Sequence, residues 1–142
     1  MTTQYPQDIR WQQRFQNFDR AFVLLRSALQ DRPLDQYNQL EQEGIIQRFE
    51  YAYELAWKTM KDYLEASGVV LAPVTAREVI KQAFAAKLVT DGQVWIDMML
   101  DRNRLAHTYD ERVFRQVLDA AQLRYFPAME SLHEWLLTQI ND

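Results

Sequence analysis

Only two side chains in this sequence, His107 and His133, ordinarily titrate near neutral pH, because it contains no cysteine. They sit in different company. His133 is flanked by Leu132, Trp135 and Leu136 with no nucleophile beside it, and reads as a packed or surface histidine. His107 lies in the segment Arg102-Asn103-Arg104-Leu105-Ala106-His107-Thr108-Tyr109. An arginine and a histidine, with no metal-binding constellation around them, form a small kit for cleaving an RNA phosphodiester. The 2′-hydroxyl attacks the adjacent phosphorus, His107 moves the proton, and Arg102 neutralises charge growing on the phosphate oxygens. One histidine serves as base or as acid but not as both at once. A twofold dimer joining two such corners would supply the second proton carrier.

The same residues also fit a purely local role. Arg102 and Arg104 can pair with Asp101, Asp110 or Glu111, while His107 caps a helix end. From spacing alone this is the stronger reading, since ion-pair networks imitate functional clusters. Glu50 and Glu54 likewise resemble a carboxylate pair but read as a solvated helix face.

The elements that must position these groups are helical. Trp11, Phe15, Phe18, Phe22, Leu25 and Leu29 follow the three-and-four spacing of one buried stripe, and this first helix should stop before Asp31-Arg32-Pro33. A second helix carries Ile45, Ile46, Phe49, Ala52, Tyr53, Ala56, Trp57, Met60, Tyr63 and Leu64 on a wide apolar face. Glu54 and Lys58 stand on its polar side in the favoured acid-before-base order, and Gly68 offers a left-handed stop. Three capping-box patterns follow, Thr75 with Glu78, Thr90 with Gln93, and Thr108 with Glu111. They predict a short helix from about Ala76 to Lys87, a fourth from near Asp91 into the arginine segment, and a fifth from near Asp110, with a kink or break near Pro127.

The Thr108 box also predicts that helical geometry is interrupted between Ala106 and Asp110. On an unbroken helix Arg102 and His107 would point about 140° apart, whereas a break lets both turn into one cleft.

Composition agrees with an all-α fold. Three glycines and four prolines among 142 residues are too few for a many-turned sheet protein. The expected architecture is an antiparallel four-helix bundle with one extra short helix, forming one domain over residues 1–142. The lack of a signal-like amino terminus and of any membrane-length apolar run predicts a cytoplasmic protein. A net charge of -4 argues against general nucleic-acid binding, so any RNA contact must be local. The aromatic stripes read as core or subunit interface, and no cofactor is expected.

The eight residues from Arg102 to Tyr109 fit the arginine, four residues, histidine, any residue, tyrosine signature of HEPN-domain toxins. Gly44-Ile45-Ile46-Gln47-Arg48-Phe49-Glu50-Tyr51-Ala52-Tyr53-Glu54-Leu55-Ala56-Trp57-Lys58 resembles the second-helix block of the same HepT-like group, formerly called nucleotidyltransferase substrate-binding proteins. So do Ala76-Arg77-Glu78-Val79-Ile80, Asp91-Gly92-Gln93-Val94-Trp95 and Asp101-Arg102-Asn103; the sequence departs from the pattern chiefly at Leu105 and Ala106.

The resemblance implies a homodimer with a composite cleft and metal-independent RNA cleavage by Arg102 and His107, with Asn103 in support. It further implies a minimal nucleotidyltransferase antitoxin that silences the toxin by transferring adenylate from ATP to Tyr109. The added phosphate would sit beside Arg102 and compete with substrate phosphate. An alternative on the same surface is a non-catalytic accessory subunit that presents substrate to a nucleotidyltransferase, and a third is a plain dimerisation module.

Overall fold

Pro6 opens the first helix, α1 (Pro6–Asp31), at a position where a missing N–H costs nothing. In the computed structural model, which describes residues 6–107 and 110–140, its six-residue apolar stripe from Trp11 to Leu29 is buried. A single 3-10 turn, Leu34–Gln36, leads to α2 (Gln39–Ala66). The short connection folds α2 back antiparallel along α1.

Helix α2 starts at a complete capping box. The Asn38 side chain accepts from the Glu41 N–H, and the Glu41 carboxylate accepts from the Asn38 N–H. It ends in a Schellman turn, with Val69 N–H donating to the Leu64 carbonyl and Gly68 left-handed at φ 92°. Helix α3 (Ala76–Ala85) is capped by Thr75, as its sequence predicts, and closes with the same turn. Here Lys87 takes the left-handed position at φ 67°.

Helix α4 (Gly92–His107) begins under Asp91, whose carboxylate accepts from the Val94 N–H, so the cap expected at Thr90 is one residue later. Helix α5 (Glu111–Ala120) is capped by Asp110, which accepts from the Arg112 and Val113 N–H groups, so Glu111 is its first residue and not the third position of the box expected with Thr108. Aspartate is favoured at such ends because its charge also faces the positive end of the helix dipole.

Pro127 does not break the last helix. The chain passes without interruption from α5 through a π-helical turn, Ala121–Tyr125, into α6 (Phe126–Ile140). Phe126 N–H reaches back five residues to the Ala121 carbonyl. Widening the turn before a proline accommodates the ring and the missing donor without breaking the helix.

Helices α1, α2, α4 and the α5–α6 run form an antiparallel four-helix bundle, with short α3 packed on α2 and α4. Buried side chains from all of them make one cluster. Trp11, Tyr63 and Trp135 meet edge to face at 5.1 Å each, joining α1, α2 and α6 at one end. Nearby, Asp62 is buried and receives the Arg14 Nε–H at 2.9 Å, tying α1 to α2. No described helix is long and apolar enough to cross a membrane.

Candidate functional site

The last two turns of α4 carry Arg102, Asn103, Arg104 and His107. The helix runs through His107, so Arg102 and His107 stand on one continuous helix rather than on either side of a break. Five helical steps lead from Arg102 to His107, which sets them about 140° apart around the axis and about 7.5 Å apart along it. The chain therefore does not bend to aim both at one pocket. Thr108 and Tyr109 lie outside the described residues.

Arg102 turns toward α2. Its Nε stands 3.5 Å from Glu54 Oε1, and the two side chains remain about a third exposed, at 32% and 30%. Nε itself is buried and, among the described residues, has no hydrogen-bond partner, so the contact with Glu54 is an ion pair of loose geometry. Glu54 also faces Lys58 at 3.7 Å along its own helix.

One turn earlier on α2, burial pushes the Glu50 carboxyl above its ordinary value, Arg102 opposes the rise, and Glu54 adds to it. Between them Tyr53 is buried, its hydroxyl without a described partner. Burial raises its pKa, Glu54 adds to the rise, and Arg102 opposes it. Arg102 thus sits above two carboxylates and a buried phenol, in a patch that disfavours additional negative charge unless the guanidinium holds it.

The neighbouring residues are occupied differently. Asn103 is exposed. Arg104 pairs with Asp101 at 2.9 Å, and Asp101 accepts a hydrogen bond from the Tyr125 hydroxyl on the π turn. That locks α4 to the following helix and realises the local pairing open to Arg104. His107, the last residue of α4, is exposed.

His133 is packed. Its ring stacks on Phe22 at 4.5 Å, and Nε2 is 2.6 Å from Asp19 Oδ1 across α1. A buried, partnered imidazole has no open side for a substrate. Among the described residues no group of three or more histidine, aspartate and glutamate side chains could hold a metal ion.

Sequence reasoning missed Glu54 as the partner of Arg102. The two are 48 positions apart, and a pairing between helices leaves no local spacing to read. The sequence offered Glu50 and Glu54 only as a carboxylate pair on a solvated helix face; both are instead half-buried, and Glu54 meets Arg102 across the bundle seam.

Residues 13–138 match the family described as nucleotidyltransferase substrate binding protein like. Over 83 residues the chain is 31% identical to the Probable ribonuclease HepT of Haemophilus influenzae, an alignment covering 54% of this chain and 57% of that relative. The match thus spans little more than half of the relative's length. Because the family match runs through all the helices of the bundle, the chain belongs to the nucleotidyltransferase substrate-binding-like family.

Proposed function

We propose that this protein is the toxin of a toxin–antitoxin pair and cleaves RNA without a metal, using Arg102 and His107, with Asn103 in support. The observation that carries this reading is the placement of Arg102. Its Nε faces Glu54 in a loose ion pair while a third of its side chain is open, about one and a half turns from an exposed histidine. The name of the Haemophilus relative supports the same chemistry.

Because α4 directs Arg102 and His107 apart, the reacting unit is a homodimer in which copies of α4 face each other and pool two arginines and two histidines. One His107 takes the proton from the 2′-hydroxyl as its oxygen bonds to phosphorus. The other protonates the 5′-oxygen as the phosphorus–oxygen bond breaks, leaving a 2′,3′-cyclic phosphate and a free 5′-hydroxyl. Arg102 steadies the extra charge on the phosphoryl oxygens between these events. The partner is a nucleotidyltransferase that adenylylates Tyr109, two residues beyond His107.

The test compares RNA cleavage by wild type, Arg102→Ala and His107→Ala, each shown to be folded by circular dichroism. Losses of about 100-fold or more are expected from either substitution. Undiminished cleavage by both variants would overturn the catalytic assignment. The family's description favours one other reading, an accessory subunit that binds the substrate of a nucleotidyltransferase. That reading is supported if wild type leaves RNA intact, and if incubation with the partner and ATP leaves the mass without an adenylate on Tyr109.

A further inference from the structure

Glu54 has a local cation of its own in Lys58, four residues along α2, and so does not depend on Arg102 for neutralisation. Arg102 is in the opposite position: its buried Nε faces Glu54 and no other acceptor among the described residues. Nor is the contact strong enough to matter much for folding. Both side chains are about a third exposed, and ion pairs of that kind add little to stability. What it does is geometric. A guanidinium can grip a phosphate along its Nε side or across its two terminal nitrogens, and a carboxylate at Nε removes the first option.

Helix α2 is a stiff base for this task. It is capped by the Asn38 box at one end and the Gly68 turn at the other, and the residues beside Glu54, Tyr53 and Leu55, are buried.

We propose that Glu54 is a positioning residue for the cleavage reaction, holding the Arg102 guanidinium by Nε so that its two terminal nitrogens are presented together to the scissile phosphate. The proposal rests on the ribonuclease reading above. Glu54 touches no reacting atom; it acts through Arg102. With the grip loosened, Arg102 still attracts phosphate but samples poses that do not match the transition state, so turnover suffers more than binding.

The experiment measures kcat and KM on an RNA oligonucleotide for wild type, Glu54→Gln, Glu54→Ala and Arg102→Ala. It is paired with the pH dependence of the Arg102 Nε–H resonance, assigned by its absence in Arg102→Lys. Glu54→Ala should lower kcat about tenfold while KM changes less than about twofold. Glu54→Gln, which keeps an acceptor at the same reach, should recover part of that loss. The Nε–H resonance should shift as the carboxylates titrate in wild type, and less so in Glu54→Gln. The magnetic resonance readout needs no activity and uses the isosteric variant, so it holds even if Glu54→Ala fails to fold.

If Arg102→Ala is inactive while both Glu54 variants retain full kcat, the positioning role is refuted and the ribonuclease reading stands. If Arg102→Ala cleaves like wild type, both fall together. A resonance equally pH-dependent in wild type and Glu54→Gln also overturns the role.

Discussion

Lys87 and Gly68 occupy the same place in the same turn. After α2, Val69 N–H reaches Leu64 and Gly68 N–H reaches Glu65; after α3, Leu88 N–H reaches Ala83 and Lys87 N–H reaches Phe84. Both central residues are left-handed, at φ 92° and 67°. An L-residue with a Cβ is strained there by about 1–2 kcal/mol, whereas glycine is not. Glycine, however, has more freedom to lose from the unfolded chain, which offsets about 0.4–1 kcal/mol. Lys87→Gly should therefore stabilise the protein by about 0.5–1 kcal/mol, a rise in Tm of about 2–4 °C per kcal/mol for a chain of this size.

Lys87→Ala is the control, because it removes the exposed side chain while keeping the Cβ. It should leave stability within about 0.5 kcal/mol of wild type. Gly68→Ala should go the other way by about 0.5–1 kcal/mol, by the same balance of strain against chain entropy. Urea unfolding followed by circular dichroism reads all three, with the m-value checking that the unfolded state is unchanged. If Lys87→Gly unfolds at the same or a lower urea midpoint than wild type, the strain attributed to this position does not exist.

Asn38→Ala removes the side-chain acceptor of the box that starts α2, leaving the backbone half to Glu41, and should cost about 1 kcal/mol in the same unfolding assay. Met98→Ala empties a site with no solvent exposure, and a loss of about 2–5 kcal/mol is expected. Glu50 binds its proton more tightly in the folded protein than in the unfolded chain. Its contribution thus favours folding below the ordinary carboxylate range and is lost as pH rises through the raised value. Glu50→Gln should flatten the stability profile across that window. At pH 7 it should leave the protein as stable or more so by less than about 1 kcal/mol, as denaturant midpoints measured at several pH values would show.

The bundle was legible because its stripes are regular: Trp11 to Leu29 and Ile45 to Leu64 keep helical spacing, and the wide second face matches a helix with neighbours on two sides. Helix ends were less legible. Thr90 carries the capping pattern, yet Asp91 beside it takes the role, and the asparagine box at Asn38 is easily passed over next to Pro33. A proline in a helical pattern signals a defect without saying whether the backbone kinks or widens. In the site, Arg102 and His107 are marked by local spacing, but Glu54 and Asp19, which decide what Arg102 and His133 face, are brought there only by tertiary packing. Whether His107 falls inside or beyond the helix depended on a single residue, a distinction that capping patterns do not resolve.

The wide turn at Ala121–Tyr125 works as a phase corrector. Nineteen positions separate Val117 from Leu136, which in an ordinary helix would leave them about 100° out of line. Taking up one surplus residue cancels that offset, and both side chains are fully enclosed. Here a length change of one residue need not rotate the rest of the helix, since the loop of backbone can tighten or slacken in place. Between Phe126 and His133, the same change would swing His133 away from Asp19.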